Sequence, residues 1–130
     1  MELQLYINTP IKEVKRRFSK YFPYLKIEFF TSRHSPLEGS DIREKVHENL
    51  YLSEVTGVLK EGIFTFLPTD TVENFEQRLQ NEHGLPVQVF RKYEKRWLIT
   101  TETDKLSLEK QNAMGAASMR AEFNLHTLFL

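Results

Sequence analysis

The chain has 130 residues, 40% of them apolar, and as many Lys and Arg as Asp and Glu, so its formal net charge is zero. That length suits one domain with a core of its own, and a neutral chain has no overall field to draw it to nucleic acid or an anionic membrane. Cysteine is absent, and no apolar run reaches signal-peptide or membrane-span length. This excludes disulfide and thiolate chemistry and reads as a cytoplasmic protein with no membrane role.

In chain order, Leu3, Leu5 and Ile7 alternate with polar neighbours as a first strand. Thr9 then caps a helix with Pro10 at its first position and Ile11, Val14, Phe18 and Tyr21 as its buried stripe. Pro23 stops it, and Leu25, Ile27 and Phe29 alternate as a second strand. Ser35, Pro36 and Gly39 mark a loop, after which Ser40 is expected to cap a short helix with Ile42, Val46 and Leu50 on one side. Val55 to Leu59 reads as a further strand, turning at Lys60-Glu61-Gly62 into Ile63, Thr65 and Leu67.

The segment from Pro68 to Arg91 carries the clearest signals. Asp70 is the expected N-cap, with Glu73 completing a capping box. Val72, Phe75 and Leu79 recur at helical spacing, and Gly84 supplies a left-handed C-cap. Leu85, Val87 and Val89 then alternate as a strand. Tyr93-Glu94-Lys95 turns into a strand from Trp97, and a last helix is expected from Asp104 or Ser107 to Gly115.

One offset carries Thr9, Ile11, Val14 and Phe18 onto Asp70, Val72, Phe75 and Leu79. After a one-residue slip, Leu25, Ile27, Phe29 and Phe30 correspond to Leu85, Val87, Val89 and Phe90. The expected fold is therefore α+β, a two-layer sandwich with a mostly antiparallel twisted sheet built from two βαβ pseudo-repeats, about 1–31 and 62–101, in ferredoxin-like order. Both helices are expected on one face of the sheet. Residues 32–61 form an insert within a single domain over 1–130, and 102–130 form a C-terminal extension on the other face.

Chemistry-bearing residues are sparse. Glu44 and His47 have the spacing of a carboxylate-bridged metal helix, but no second Glu-x-x-His accompanies them. No nucleophile elbow, phosphate loop or histidine constellation occurs, so the residues argue against an enzyme and imply no cofactor and no metal. Strand parity assigns Tyr6, Phe30, Phe64, Phe66, Phe90 and Leu98 to the sheet face away from the helices, where an open sheet should be polar. With Arg91 and Trp97 beside them, these aromatics make that face the candidate binding surface for a protein partner or for a second copy, as a homodimer. The alternative reading is a small-ligand site or enzyme pocket between that face and the C-terminal segment, lined by Tyr6, Trp97, Arg91 and His126. Third comes single-stranded nucleic acid on the basic, aromatic hairpin around Tyr93. The neutral charge and the missing RRM signature weigh against that reading. The C-terminal segment, through Met119, Phe123 and Leu125, is expected to cover the aromatic face of its own chain or of a neighbour.

Overall fold

A computed structural model describes residues 1–34 and 41–128, with side-chain surroundings for 1–31 and 44–120. The chain is α+β. Strand β1 (Glu2–Leu5) leads into helix α1 (Ile11–Tyr21), strand β2 (Leu25–His34) and strand β3 (Asp41–Lys45). A 3-10 turn (Leu52–Glu54) precedes strand β4 (Gly62–Thr65), helix α2 (Val72–His83), strand β5 (Val87–Tyr93) and strand β6 (Arg96–Ile99). A second 3-10 turn (Thr101–Thr103) leads into helix α3 (Leu108–Leu128).

The strands form two antiparallel sheets, the pair β1·β4 and a four-stranded sheet in the order β3-β2-β5-β6. The expected ferredoxin-like order would put the two strands that precede the helices side by side and parallel. Instead, β1 and β4 run antiparallel in a sheet of their own. The register shows why the two halves still match. Leu3 pairs with Phe64, and these are the residues that the helix offset carries onto each other. Glu28 faces Gln88 in the β2·β5 pair, and these correspond under the slipped offset. β1 and β2 thus pair with their counterparts β4 and β5 about an approximate two-fold.

The correspondence reaches further than strand–helix–strand. The hairpin β2·β3 matches the hairpin β5·β6, and both halves close with a hook that feeds the exposed amides of their helix. Ile11 and Lys12 donate to the carbonyls of Leu50 and Glu48, as Val72 and Glu73 donate to those of Leu106 and Asp104. These donors have no partner inside their own helix, so the hook satisfies groups that water would otherwise have to reach. Both N-caps fall one residue later than expected, at Pro10 and at Thr71, whose hydroxyl accepts from the Asn74 amide. Thr9 and Asp70 instead tie down the preceding turns, accepting from Tyr6 and Leu67.

Three expectations about the linking segments are corrected. Asp41–Lys45 is a strand paired with Phe30–His34 rather than part of a helix, because hairpin pairing outweighs the local helical spacing. Residues 55–59 form turns, with the Val58 amide bonded to the Thr56 hydroxyl, rather than a strand. Helix α3 begins after Ser107 and runs straight through Gly115, where a bend was expected. A Cβ on Gly115 would sit 2.8 Å from Cβ of Tyr24, so the glycine lets the helix lie close to the sheet.

The core lies where the helices meet β1·β4 and the inner faces of β2 and β5. Phe18 of α1 and Phe75 of α2 have ring centroids 5.2 Å apart, which places both helices on the same side. Phe66 packs edge-on to Phe75 at 5.1 Å. Gly84 caps α2 in the left-handed conformation, as expected, with φ of 71°. His83 is buried beneath it and donates from Nδ1 to the Lys60 carbonyl at 2.6 Å.

Candidate functional site: the outer face of the four-stranded sheet

Side chains alternate across a strand, so burial on one side of β2 and β5 identifies the other side as outward. Leu25, Ile27, Phe29, Val87 and Val89 are buried in the core. Lys26, Glu28, Phe30, Gln88, Phe90 and Lys92 therefore point outward, joined from the edge strands by Lys45, Trp97 and Ile99 through their register with Phe30, Lys92 and Phe90.

The predicted binding residues divide between this face and other places. Phe30, Phe90 and Trp97 lie on it, the first two half-buried and Trp97 37% exposed. Phe64 and Phe66 do not. They are 1% and 2% exposed in the core, while Ile63 and Leu67 of the same segment are half or more exposed. The parity of this strand is the reverse of the expected one. The apolar residues alternate with Phe64 and Phe66, so two interleaved apolar sets compete, and the larger rings take the core. Tyr6 stands exposed just past the end of β1, in the other sheet. Arg91 faces inward, donating to Gln111 Oε1 of α3 at 2.8 Å.

That contact also overturns the expected place of the C-terminal segment. Helix α3 packs against β5 and β2 on the inner side, with Leu108 and Gln111 fully buried and Met114 and Met119 half-buried. Among the described residues, no helix packs on the outer face. The expected pocket between the aromatic face and the C-terminal segment therefore does not form from Tyr6, Arg91 and Trp97. Phe123, Leu125 and His126 lie outside the described side chains.

At one end of the face is a hollow of about 520 Å³ lined by Lys15, Lys26, Glu28, Lys45 and residues 46–48. Glu28 sits at its floor, 3% exposed. Lys15 Nζ of α1 donates to Glu28 Oε1 at 2.8 Å, and Lys26 Nζ and Lys45 Nζ stand 3.5 Å from its two oxygens. Lys15 also reaches Glu48 at 3.2 Å. Burial pushes the Glu28 carboxyl up, but the Lys15 hydrogen bond and the charges of Lys15, Lys45 and Lys26 outweigh it and hold the group below its ordinary value. Oε2 accepts no hydrogen bond within the protein.

Lys26 links this hollow to the aromatics. Its ammonium lies 5.6 Å from the Phe90 ring centroid and 5.0 Å from that of Trp97, and Lys92 lies over Trp97 at 5.1 Å. These are cation–π distances. With Glu28 buried and paired, Glu48 paired with Lys15 and Gln88 neutral, the balance of Lys15, Lys26, Lys45 and Lys92 leaves this part of the face positive although the chain is neutral.

Parity reasoning found Phe30 and Phe90, put Leu98 on the face where the register puts its neighbour Trp97, and missed Lys15, Lys26, Glu28 and Lys45. No short-range pattern joins a helix, a strand and the end of a distant hairpin, and only the β2·β3 pairing brings Lys45 to Glu28. Glu44 and His47, weighed as a metal pair, fall on a strand and in the segment after it. Among the described residues, no three His, Asp or Glu converge as a metal site. Comparison with family models, curated proteins and solved structures finds no match for the chain.

Proposed function

We propose that the protein is a non-enzymatic interaction module that takes a macromolecular partner on the outer face of its four-stranded sheet. The observation that carries this reading is the open arrangement of Phe30, Phe90, Trp97 and Ile99 with Lys26, Lys45 and Lys92, on which no described helix packs. The hollow at its end is a widening of that surface rather than an enclosed chamber, which suits an extended partner better than a small substrate. A photo-crosslinking residue at Gln88, in the middle of the face, is expected to give a discrete adduct in cells, while one at Lys12 on the exposed side of α1 gives none. Equal labelling at the two positions, or none at Gln88, would contradict the reading.

A second reading, self-association, is favoured by β6. It is an edge strand, and Trp97, Leu98 and Ile99 are consecutive and exposed, Ile99 to 55%. Such an edge offers unpaired backbone groups and apolar side chains to a second copy. Light scattering at high concentration is expected to show a dimer that Ile99→Lys returns to monomer. A strictly monomeric wild-type protein removes this reading without touching the first.

A further inference from the structure

The approximate two-fold provides an internal control for the lysine-ringed hollow. A smaller hollow of about 190 Å³ lies at the corresponding place in the other half, lined by Glu76, Gln77, Gln80, Pro86, Val87 and Gln88. The helix offset carries Lys15 onto Glu76, and the slipped offset carries Lys26 and Glu28 onto Pro86 and Gln88. Lys45 corresponds to Ile99, since they pair with the matching residues Phe30 and Phe90. The same supersecondary unit is thus built twice, once with three lysines at this place and once with none. In the second half Glu76 accepts from the Val89 amide at 2.7 Å and ties helix to strand. The three cations are not what this fold requires there.

Resting on the interaction-module reading, we infer that the outer face binds single-stranded nucleic acid, with phosphates along Lys15, Lys45, Lys26 and Lys92 and bases stacked on Phe90 and Trp97. Charge complementarity selects a polyanion, because four lysines, Lys15, Lys26, Lys45 and Lys92, meet two carboxylates here, Glu28 buried and paired and Glu48 paired with Lys15. The exposed rings select one that carries planar groups between its charges. Lys26 belongs to both parts, touching Glu28 in the hollow and standing over Phe90 and Trp97, so charge and ring lie side by side on the face.

Anisotropy of a labelled oligothymidylate, with polyglutamate of equal charge as competitor, tests this on the full chain. Binding at low salt is expected to weaken with a log–log salt slope of about −3, since each of the four phosphate contacts of a single strand contributes about −0.7. Lys26→Ser and Lys92→Ser are each expected to flatten the slope by about 0.7. Trp97→Leu is expected to weaken binding about tenfold with the slope unchanged, because it removes stacking rather than charge. Lys20→Ser, on the exposed side of α1, should alter neither, and thermal melts confirm that each variant is folded. If polyglutamate competes as well as unlabelled oligonucleotide and Trp97→Leu binds normally, the partner is an acidic polypeptide and the nucleic-acid inference is overturned. Absence of oligonucleotide binding, or binding indifferent to Lys26, Lys92 and Trp97, overturns it as well. In both cases an adduct at Gln88 would keep the interaction-module reading standing, and its absence would end that reading separately.

Discussion

The two halves of this chain answer the same structural problem with different residues. Each runs strand, helix, hairpin and hook, and the first two strands of the first half pair with their counterparts in the second. Where they face one another across the axis, they are complementary rather than alike. Val14 and Phe18 on α1 correspond to Phe75 and Leu79 on α2, so small and large exchange places and the interface fills without collision. Away from the axis they diverge in what they offer to solvent. The first half carries Lys15, Lys26 and Lys45 around Glu28, and the second carries Glu76, Pro86 and Ile99 around Gln88. Packing constrains the shared positions, while solvent-facing positions on the same scaffold are free to specialise.

The largest expected effect comes from the shared core. Phe75 touches Phe18, Phe64 and Phe66, and Phe75→Ala is expected to lower stability by about 3–5 kcal/mol. Its counterpart change, Val14→Ala, removes two methyl groups and should lower it by about 1.5–2 kcal/mol. Urea unfolding of both variants measures the difference, and equal losses would break the size-exchange account.

An intermediate effect belongs to the one element without a full counterpart. The first half's hook ends in a single 3-10 turn, whereas the second continues into α3, which lies against β5 through Gly115. Gly115→Ala places a Cβ within 2.8 Å of Tyr24 Cβ and should cost about 1–3 kcal/mol. Gly57→Ala, with no atom within 4 Å of the added Cβ, should stay within about 0.5 kcal/mol. A thermal melt in which Gly115→Ala is silent would mean that α3 is not seated on the sheet.

The Glu28 cluster has the smallest expected effect on stability. Its carboxyl is held below the ordinary carboxylate value, so its contribution is present above that value and is lost as pH falls through the folded value. Glu28→Gln is expected to destabilise by about 1–2 kcal/mol at pH 7, through loss of the charge-assisted bond to Lys15. Wild type and variant should converge in the acid range. Gln88→Glu sets a second carboxylate directly opposite Glu28 in the β2·β5 register and should gain nothing at neutral pH. Chemical unfolding at several pH values tests both.

Sequence periodicity made the two helices, their offset, strands β1, β2 and β5, the β5·β6 turn and the Gly84 cap legible, because each depends on neighbours within a few residues. The strand β3 was hidden because Ile42 and Val46 also fit a helix, and only pairing with Phe30–His34 decides between the two. The parity of β4 was hidden because apolar residues occupy both of its sides. Half of the candidate site was legible as exposed aromatics. Its lysines were not, since Lys15, Lys26 and Lys45 sit on a helix and two strands and meet only through tertiary packing around Glu28.

The most direct test of the central claim compares the two hollows in one spectrum. Amide and side-chain NMR shifts recorded while a single-stranded oligonucleotide is added should move at Lys26, Glu28, Lys45, Phe90 and the Trp97 indole, and hold still at Glu76, Gln80 and Val87. Shifts of equal size in both hollows, or confined to the second, would contradict the specialisation of the first half.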